Sequence, residues 1–129
     1  MHINAYMIRE VEIFKAIGEQ TRLRIMRLLV KAKIELCACE IIDVLEKPQY
    51  TVSKNLGILV NAGLLKERRE GRMMFYKIDS GDEFNKNIFK SVELIKCDSN
   101  PVYKNDFLRL SKRISFRKNG DCITGCVKL

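Results

Sequence analysis

Residues 49–78 read Gln49-Tyr50-Thr51-Val52-Ser53-Lys54-Asn55-Leu56-Gly57-Ile58-Leu59-Val60-Asn61-Ala62-Gly63-Leu64-Leu65-Lys66-Glu67-Arg68-Arg69-Glu70-Gly71-Arg72-Met73-Met74-Phe75-Tyr76-Lys77-Ile78. Two periodicities meet in this stretch. Up to Asn61, the apolar residues Val52, Leu56, Leu59 and Val60 recur at i, i+4, i+7 and i+8, which is one face of a helix. Gln49, Thr51, Ser53, Lys54 and Asn55 mostly point elsewhere. Asn61-Ala62-Gly63 closes the helix, with glycine in the usual capping role. Beyond it, residues 64–69 and 73–78 read as two short strands around Glu70-Gly71-Arg72, a tight turn containing glycine.

Working outward, residues 36–46 predict a short helix carrying Ile41, Ile42 and Leu45, broken by Pro48. Residues 20–31 predict another, with Leu23, Met26 and Val30 as its core stripe and Arg22, Arg24 and Arg27 interleaved. Residues 3–17 place Ile3, Met7, Val11, Phe14 and Ile17 on one face of a first helix, ended by Gly18. So apolar a helix at a chain end covers the core or docks on a partner. Downstream, residues 82–96 repeat the pattern with Phe84, Ile88, Val92 and Ile95. Asn100 then caps a further helix that has Pro101 at its first position. Tyr103, Phe107, Leu110 and Ile114 continue its stripe. The expected division is a domain over residues 1–98 and an extension over 99–129, made of one helix and a cysteine-containing tail.

Three helices followed by a hairpin is a specific order. It predicts a mostly α protein with a winged helix-turn-helix at its centre. A short helix, a turn and a helix with a polar outer face suit insertion into a major groove. Gln49, Tyr50, Thr51, Ser53, Lys54 and Asn55 are the candidate DNA-contacting residues there, since Gln and Asn can pair bidentately with adenine. Arg68, Arg69 and Arg72 on the hairpin would meet phosphates or the minor groove. The formal charge of +8 agrees with an anionic partner. The basic residues Lys104, Arg109, Lys112, Arg113, Arg117 and Lys118 are expected to face solvent or to lie near DNA.

Composition narrows the function further. Hydrophobic residues make up 47% of the 129 and charged residues 31%, enough for a core and a hydrated surface. The first residues lack the zones of a signal peptide, and no apolar run nears the ~20 residues needed to cross a bilayer. A cytoplasmic protein without membrane contact is the expectation. There, five cysteines argue for metal binding, thiol chemistry or burial rather than a disulfide framework. The single histidine, His2, speaks against paired-histidine zinc sites and histidine-dependent catalysis. No Cys-x5-Arg run or Gly-rich phosphate loop is present, so an enzyme is not expected.

Three segments carry a resemblance. Ile17-Gly18-Glu19-Gln20-Thr21-Arg22-Leu23-Arg24-Ile25-Met26-Arg27-Leu28-Leu29 resembles the second-helix signature of the arsenic-repressor (ArsR/SmtB) family. Residues 49–56 are similar to its recognition-helix pattern, and residues 62–78 to its wing. The resemblance covers roughly residues 5–96. It implies a homodimer formed by the first and fifth helices, bound to an inverted-repeat operator in double-stranded DNA and released by a ligand. For a two-fold dimer the half-sites would lie about 34–36 Å, or a multiple, apart. Where the family often has two histidines in the recognition helix, this chain has Lys54 and Asn55.

Glu35-Leu36-Cys37-Ala38-Cys39-Glu40 resembles the family's thiolate box, which implies arsenite or antimonite as inducer, with cadmium, lead or zinc as alternatives. Thiolates suit such soft ions. The arsenite-type box often carries a third cysteine where this chain has Ile42. Trivalent arsenic prefers three thiolates, so the missing one would come from Cys97, Cys122 or Cys126, in the same or the other subunit. Cys122 and Cys126 could instead form a pair of their own, and Cys97 could simply be buried. On a regular helix, residues two apart are turned by about 200°. Cys37 and Cys39 would then point to opposite sides, and could grip one ion only if the helix start were unwound. A redox reading, in which two thiols oxidise to a disulfide, stays open beside the metalloid one.

Overall fold

The computed structural model describes residues 5–96 and 100–117, with side chains from Arg9 onward. Cys97, Cys122 and Cys126 lie outside the described residues. The chain forms α1 (Ala5–Ile17), α2 (Gln20–Ala32), β1 (Leu36–Cys37), α3 (Ala38–Leu45), α4 (Gln49–Asn61), β2 (Leu65–Glu70), β3 (Met73–Ile78), α5 (Glu83–Glu93) and α6 (Pro101–Ile114).

The centre of the fold is α2. The Glu19 carboxylate caps it by accepting from the Arg22 amide at 3.1 Å. Ile25, Met26, Leu28, Leu29 and Val30 are all buried, which is possible because α1, α4, α5, α6 and β3 all pack around this helix. The core continues through Ile13, Leu36, Ile41, Leu56, Leu59 and Leu64. Asn100 accepts from the Val102 amide at 3.0 Å, so α6 starts with the cap and proline that its sequence predicts.

The wing is a hairpin paired from Leu65↔Ile78 to Glu70↔Met73, which leaves Gly71 and Arg72 as a two-residue turn. Gly71 has φ +61 and Arg72 does not enter the positive region, the pattern of a type II′ turn with glycine first. The sheet has a third strand that the sequence pattern does not announce. Leu36 and Cys37 pair antiparallel with Tyr76 and Phe75, giving the order β1-β3-β2. This segment reads as the start of a helix from periodicity alone. It is extended because β3 offers it a free edge and because Leu36 drops fully into the core.

Of the basic residues in and after α6, Lys104 and Lys112 are exposed as expected and Lys118 lies outside the described residues, but the three arginines depart from expectation. Arg109 donates to the carbonyls of Val44 and Asp43, at 2.9 Å each. Arg113 is completely buried and Arg117 is largely so. These groups face α3 rather than solvent or DNA. Arginine pairs with a carboxylate in a fixed fork, which makes it the cation best suited to such a buried seam. Two turns earlier on α6, the carboxylate of Asp106 takes two hydrogen bonds from Arg24, at 2.9 and 2.8 Å. The Arg27 guanidinium lies over the rings of Tyr103 and Phe107 and donates to the Val92 and Ile95 carbonyls at the end of α5.

Candidate functional site

The thiol pair sits where β1 turns into α3. Cys37 has φ −73 and ψ 149, so it is the extended N-cap of α3 rather than a helical residue. The opposed arrangement expected on a regular helix therefore does not arise. Instead the Cys39 thiol donates to the Cys37 sulfur, and the two Sγ atoms lie 3.0 Å apart. That is longer than the bond of about 2.05 Å in a disulfide. Two soft donors thus converge without any unwinding of the helix.

Charge is concentrated around the pair. The carboxylate of Glu40, fully buried, accepts from the Cys37 amide at 2.8 Å and from Arg117 Nε and Nη2 at 2.7 Å each. Burial pushes the Glu40 carboxyl up, but the Arg117 and Cys37 hydrogen bonds and the nearby arginine charges outweigh it and hold the group below its ordinary value. Arg117 also donates to the Glu35 carbonyl at 2.8 Å. Arg113 Nε donates to Asp43 at 2.8 Å, and its Nη2 lies 3.8 Å from the Cys39 sulfur. Outside the pair, Glu35 takes the Arg68 guanidinium at 2.8 Å, and this hydrogen bond is the main cause that lowers the Glu35 carboxyl. Both arms of the box are therefore pinned, one to the wing and one to α6. The α6 arm escapes a reading of the sequence: Glu40 and Asp43 share a face of α3, but of their partners only Arg113 lies on α6, and Arg117 comes after its end.

The sulfurs open into a groove of about 610 Å³ lined by Cys37, Cys39, Ile42, Met73, Met74 and Tyr76. Gln49 and Ser53 of α4 and Arg72 at the hairpin turn complete its walls. Burial, with the charges of Glu67 and Cys37, raises the Tyr76 phenol, so it stays neutral around pH 7. A ligand held by the cysteines would lie against both the recognition helix and the wing.

The candidate DNA-contacting residues divide into two groups. Gln49, Ser53 and Lys54 are exposed on α4, Thr51 is half-buried, and Tyr50 stands 77% exposed. Asn55 is different. It is buried, its carbonyl oxygen accepts from Arg22 at 2.8 Å, and its amide donates to the Thr51 carbonyl at 2.9 Å. Its carboxamide is engaged inside the protein, not held out to a base. On the wing, Arg69 and Arg72 are exposed and form no ion pair among the described residues. Arg68 is held by Glu35 and Glu70 and lies over the Phe75 ring at 4.7 Å.

At the far side of the molecule α1 and α5 meet through Phe14 and Phe84, edge to face at 5.9 Å. Phe14 nevertheless remains 57% exposed, with Val11 and Leu94 also open to solvent. No helix among the described residues is long and apolar enough to cross a membrane.

Comparison with known proteins places this geometry. The model of the family described as bacterial regulatory protein, arsR family, matches residues 19–67, from the cap of α2 into the wing. An uncharacterised helix-turn-helix transcriptional regulator of Methanocaldococcus jannaschii is 47% identical over 85 residues, 66% of this chain and 92% of that protein. A Staphylococcus aureus homologue of the cadmium resistance regulator CadC is 34% identical over 64% of this chain and 66% of its own length. The arsenic resistance regulator ArsR1 of Pseudomonas putida is 39% identical over 51% of each chain. Thus the match spans between half and two thirds of these two metal-resistance regulators. Among solved structures, HlyU from Vibrio cholerae superposes with a TM-score of 0.63 at 26% identity, covering 74% of this chain and 100% of HlyU. With its central helices matched by the family model and a relative covered almost from end to end, the chain belongs to the arsR family of helix-turn-helix transcriptional regulators.

Proposed function

We propose that this regulator is a homodimeric repressor that leaves its operator when Cys37 and Cys39 bind trivalent arsenic or antimony. The observation that carries the reading is the 3.0 Å sulfur pair in a groove whose other walls are Gln49, Ser53 and Arg72. A ligand held by the two thiols would lie against Gln49, Ser53 and Arg72, on the elements assigned to DNA contact. It therefore makes different contacts in the bound and released states, which is what a switch requires. The names of the arsenic and cadmium regulators among its relatives support the same ligand class.

The chemistry is a condensation: arsenous acid and three thiols give a trithiolate and three waters. Cys37 and Cys39 supply two of the thiols. Cys122 and Cys126 are the best candidates for the third. Arg117 already touches Glu35 and Glu40, and Cys122 follows it by a tether that spans at most about 18 Å. Cys97 instead comes after α5 in the chain, before α6 begins. Operator contact is assigned to Gln49, Tyr50, Thr51, Ser53 and Lys54 on α4 and to Arg69 and Arg72 on the wing, with Arg68 held back by Glu35. The dimer forms through the exposed apolar face of α1 and α5.

Replacing Cys37 and Cys39 together by serine tests the reading. Serine is a preferred N-cap residue, so the helix start is retained. The variant should bind operator DNA like the parent and no longer be released by arsenite; full release would overturn the proposal. The close sulfurs also favour a redox reading, in which peroxide oxidises the two thiols to a disulfide with formation of two waters. Intact-mass measurement separates the two, as bound arsenic against a loss of two hydrogens. Cadmium, lead and zinc are tested in the same release assay.

A further inference from the structure

Asn85 stands in the first turn of α5 and is 3% exposed. Its side-chain nitrogen donates to the Gly63 carbonyl and to the Asp79 carbonyl, at 2.8 Å each. Gly63 lies just past the end of the recognition helix α4, where its φ is +81. Asp79 is the residue after the wing strand β3. The side-chain oxygen of Asn85 accepts from the Arg9 guanidinium of α1 at 3.3 Å. Arg9 is held in turn by Asp82, the N-cap of α5, and lies over the Phe84 ring. Asp82 also accepts from the Asn85 backbone amide at 2.9 Å, which fixes the point from which the side chain starts.

A primary amide has two N–H donors, and here each meets a main-chain carbonyl. One carbonyl marks the end of the recognition helix and the other the end of the wing. The oxygen of the same group meets α1, and the helix that carries it is α5. One buried carboxamide therefore joins both elements assigned to DNA to both elements assigned to the dimer. The packing partners of α4 are α1, α2, α3 and β2, whereas α5 packs on α2. Apolar packing is non-directional. A hydrogen bond is directional and weakens steeply when bent, so the carboxamide fixes the angle between the reading elements and α5. In a two-fold dimer that angle enters twice, once per subunit, into the distance between the two recognition helices. Neighbouring base pairs are only about 3.4 Å apart along the duplex, so a small rotation at Gly63 and Asp79 changes the spacing that the dimer spans.

We propose that Asn85 is a positioning residue that sets the half-site spacing of the operator, by tying the recognition helix and the wing of each subunit to the dimer helices. The inference rests on the reading that α1 and α5 form the dimer while α4 and the wing meet DNA, and it adds what determines the spacing. Arg9 has a supporting part, since its contact with the oxygen turns the nitrogen of Asn85 toward the two carbonyls.

The test uses the full chain. The parent first selects its inverted repeat from a pool of random duplex DNA, and affinities are then measured on duplexes that keep the half-sites and change the spacer by one base pair either way. Asn85→Asp keeps the volume but sets an oxygen where both donors stood. Its preference for the parental spacer over the altered ones should fall roughly 2–30-fold, the size of a lost coupling between two parts of a protein. Affinity for a single half-site and the dimer seen in sedimentation equilibrium should be unchanged. Arg9→Ala changes an exposed residue outside the core, so it folds, and it should relax the preference in the same direction by less. Affinity lost equally at every spacer would make Asn85 a structural residue only, and overturns the positioning role while the dimer and DNA readings stand. Parental spacing retained in Asn85→Asp overturns it too, and should that variant not fold, parental spacing retained in Arg9→Ala does the same. A parent that selects single half-sites with no fixed spacing overturns the dimer reading itself.

Discussion

Arg117 donates from Nε and Nη2 to the two carboxylate oxygens of Glu40, each at 2.7 Å, and so ties the end of the described chain to the residue after Cys39. Glu40 is wholly buried and Arg117 mostly so. Removing one partner of a buried pair leaves the other charge desolvated, and Glu40→Gln should destabilise the fold by about 3 kcal/mol. A urea midpoint within error of the parent would show that the pair is not what holds α6. The pH dependence follows from the same contact. Burial raises the Glu40 carboxyl, but Arg117 and the Cys37 amide leave it below its ordinary 4.5. A carboxyl lowered on folding binds its proton more readily in the unfolded chain. Its contribution is therefore complete above 4.5 and lost as pH falls through the lower folded value. Acid titration of stability should be shallower in Glu40→Gln than in the parent.

That contact also shows where the sequence runs out. The helices are legible because Val52, Leu56, Leu59 and Val60, like Phe84, Ile88 and Val92, repeat at the helical period. Gly71 marks the wing because a tight turn needs its positive φ. Two residues of strand carry no period, so Leu36-Cys37 is invisible until β3 is beside it. The same blindness hides the geometry of the thiols, because a Cys-x-Cys spacing on an assumed helix opposes the sulfurs that an extended Cys37 brings together. Charges on α6 read as solvated, since only the fold reveals that Arg113 and Arg117 face Asp43 and Glu40. The cysteine motif itself was legible, whereas the methionines that share its groove look like ordinary strand residues.

Asn55 and Ser53 should behave oppositely, although both lie on the recognition helix. Asn55 receives Arg22 and donates to Thr51 inside the protein. Truncation to alanine leaves a largely buried guanidinium short of an acceptor and should cost roughly 1–3 kcal/mol. Ser53 is exposed and lines the groove, so Ser53→Ala should leave stability within about 0.5 kcal/mol of the parent. Its effect should appear in operator preference. Thermal unfolding and binding to a panel of operator variants read the two quantities separately. A stable Asn55→Ala protein with altered base preference would return that residue to the DNA-contacting set.

Phe14 bridges α1 to Phe84 while remaining more than half exposed. In a dimer built on α1 and α5 this ring is covered, and a charge there would be buried without a partner. Phe14→Glu should shift the protein to monomer in sedimentation equilibrium and weaken operator binding, because one half-site alone remains engaged. The helical circular dichroism of the monomer should persist, as the ring is not part of the core cluster. A dimer of undiminished strength would place the interface elsewhere.

The wing arginines separate by their partners. Arg69 and Arg72 project into solvent, whereas Arg68 is drawn back onto Glu35 and Glu70 and covers Phe75. If Arg69 and Arg72 meet phosphates, each change to alanine should weaken binding about equally on every DNA sequence. Each should also reduce the slope of log affinity against log salt by about 1, since one fewer counterion is released. Arg68→Ala should leave that slope near the parental value. It frees Glu35 instead, removing the main contact that lowers its carboxyl and loosening the strand that leads into Cys37. Its effect should therefore be read in inducer affinity. Titrations of all three variants at several salt concentrations, with and without arsenite, distinguish a phosphate contact from a brace on the thiol pair. A salt slope lowered by Arg68→Ala as much as by Arg72→Ala would mean that the Glu35 contact is surrendered on DNA.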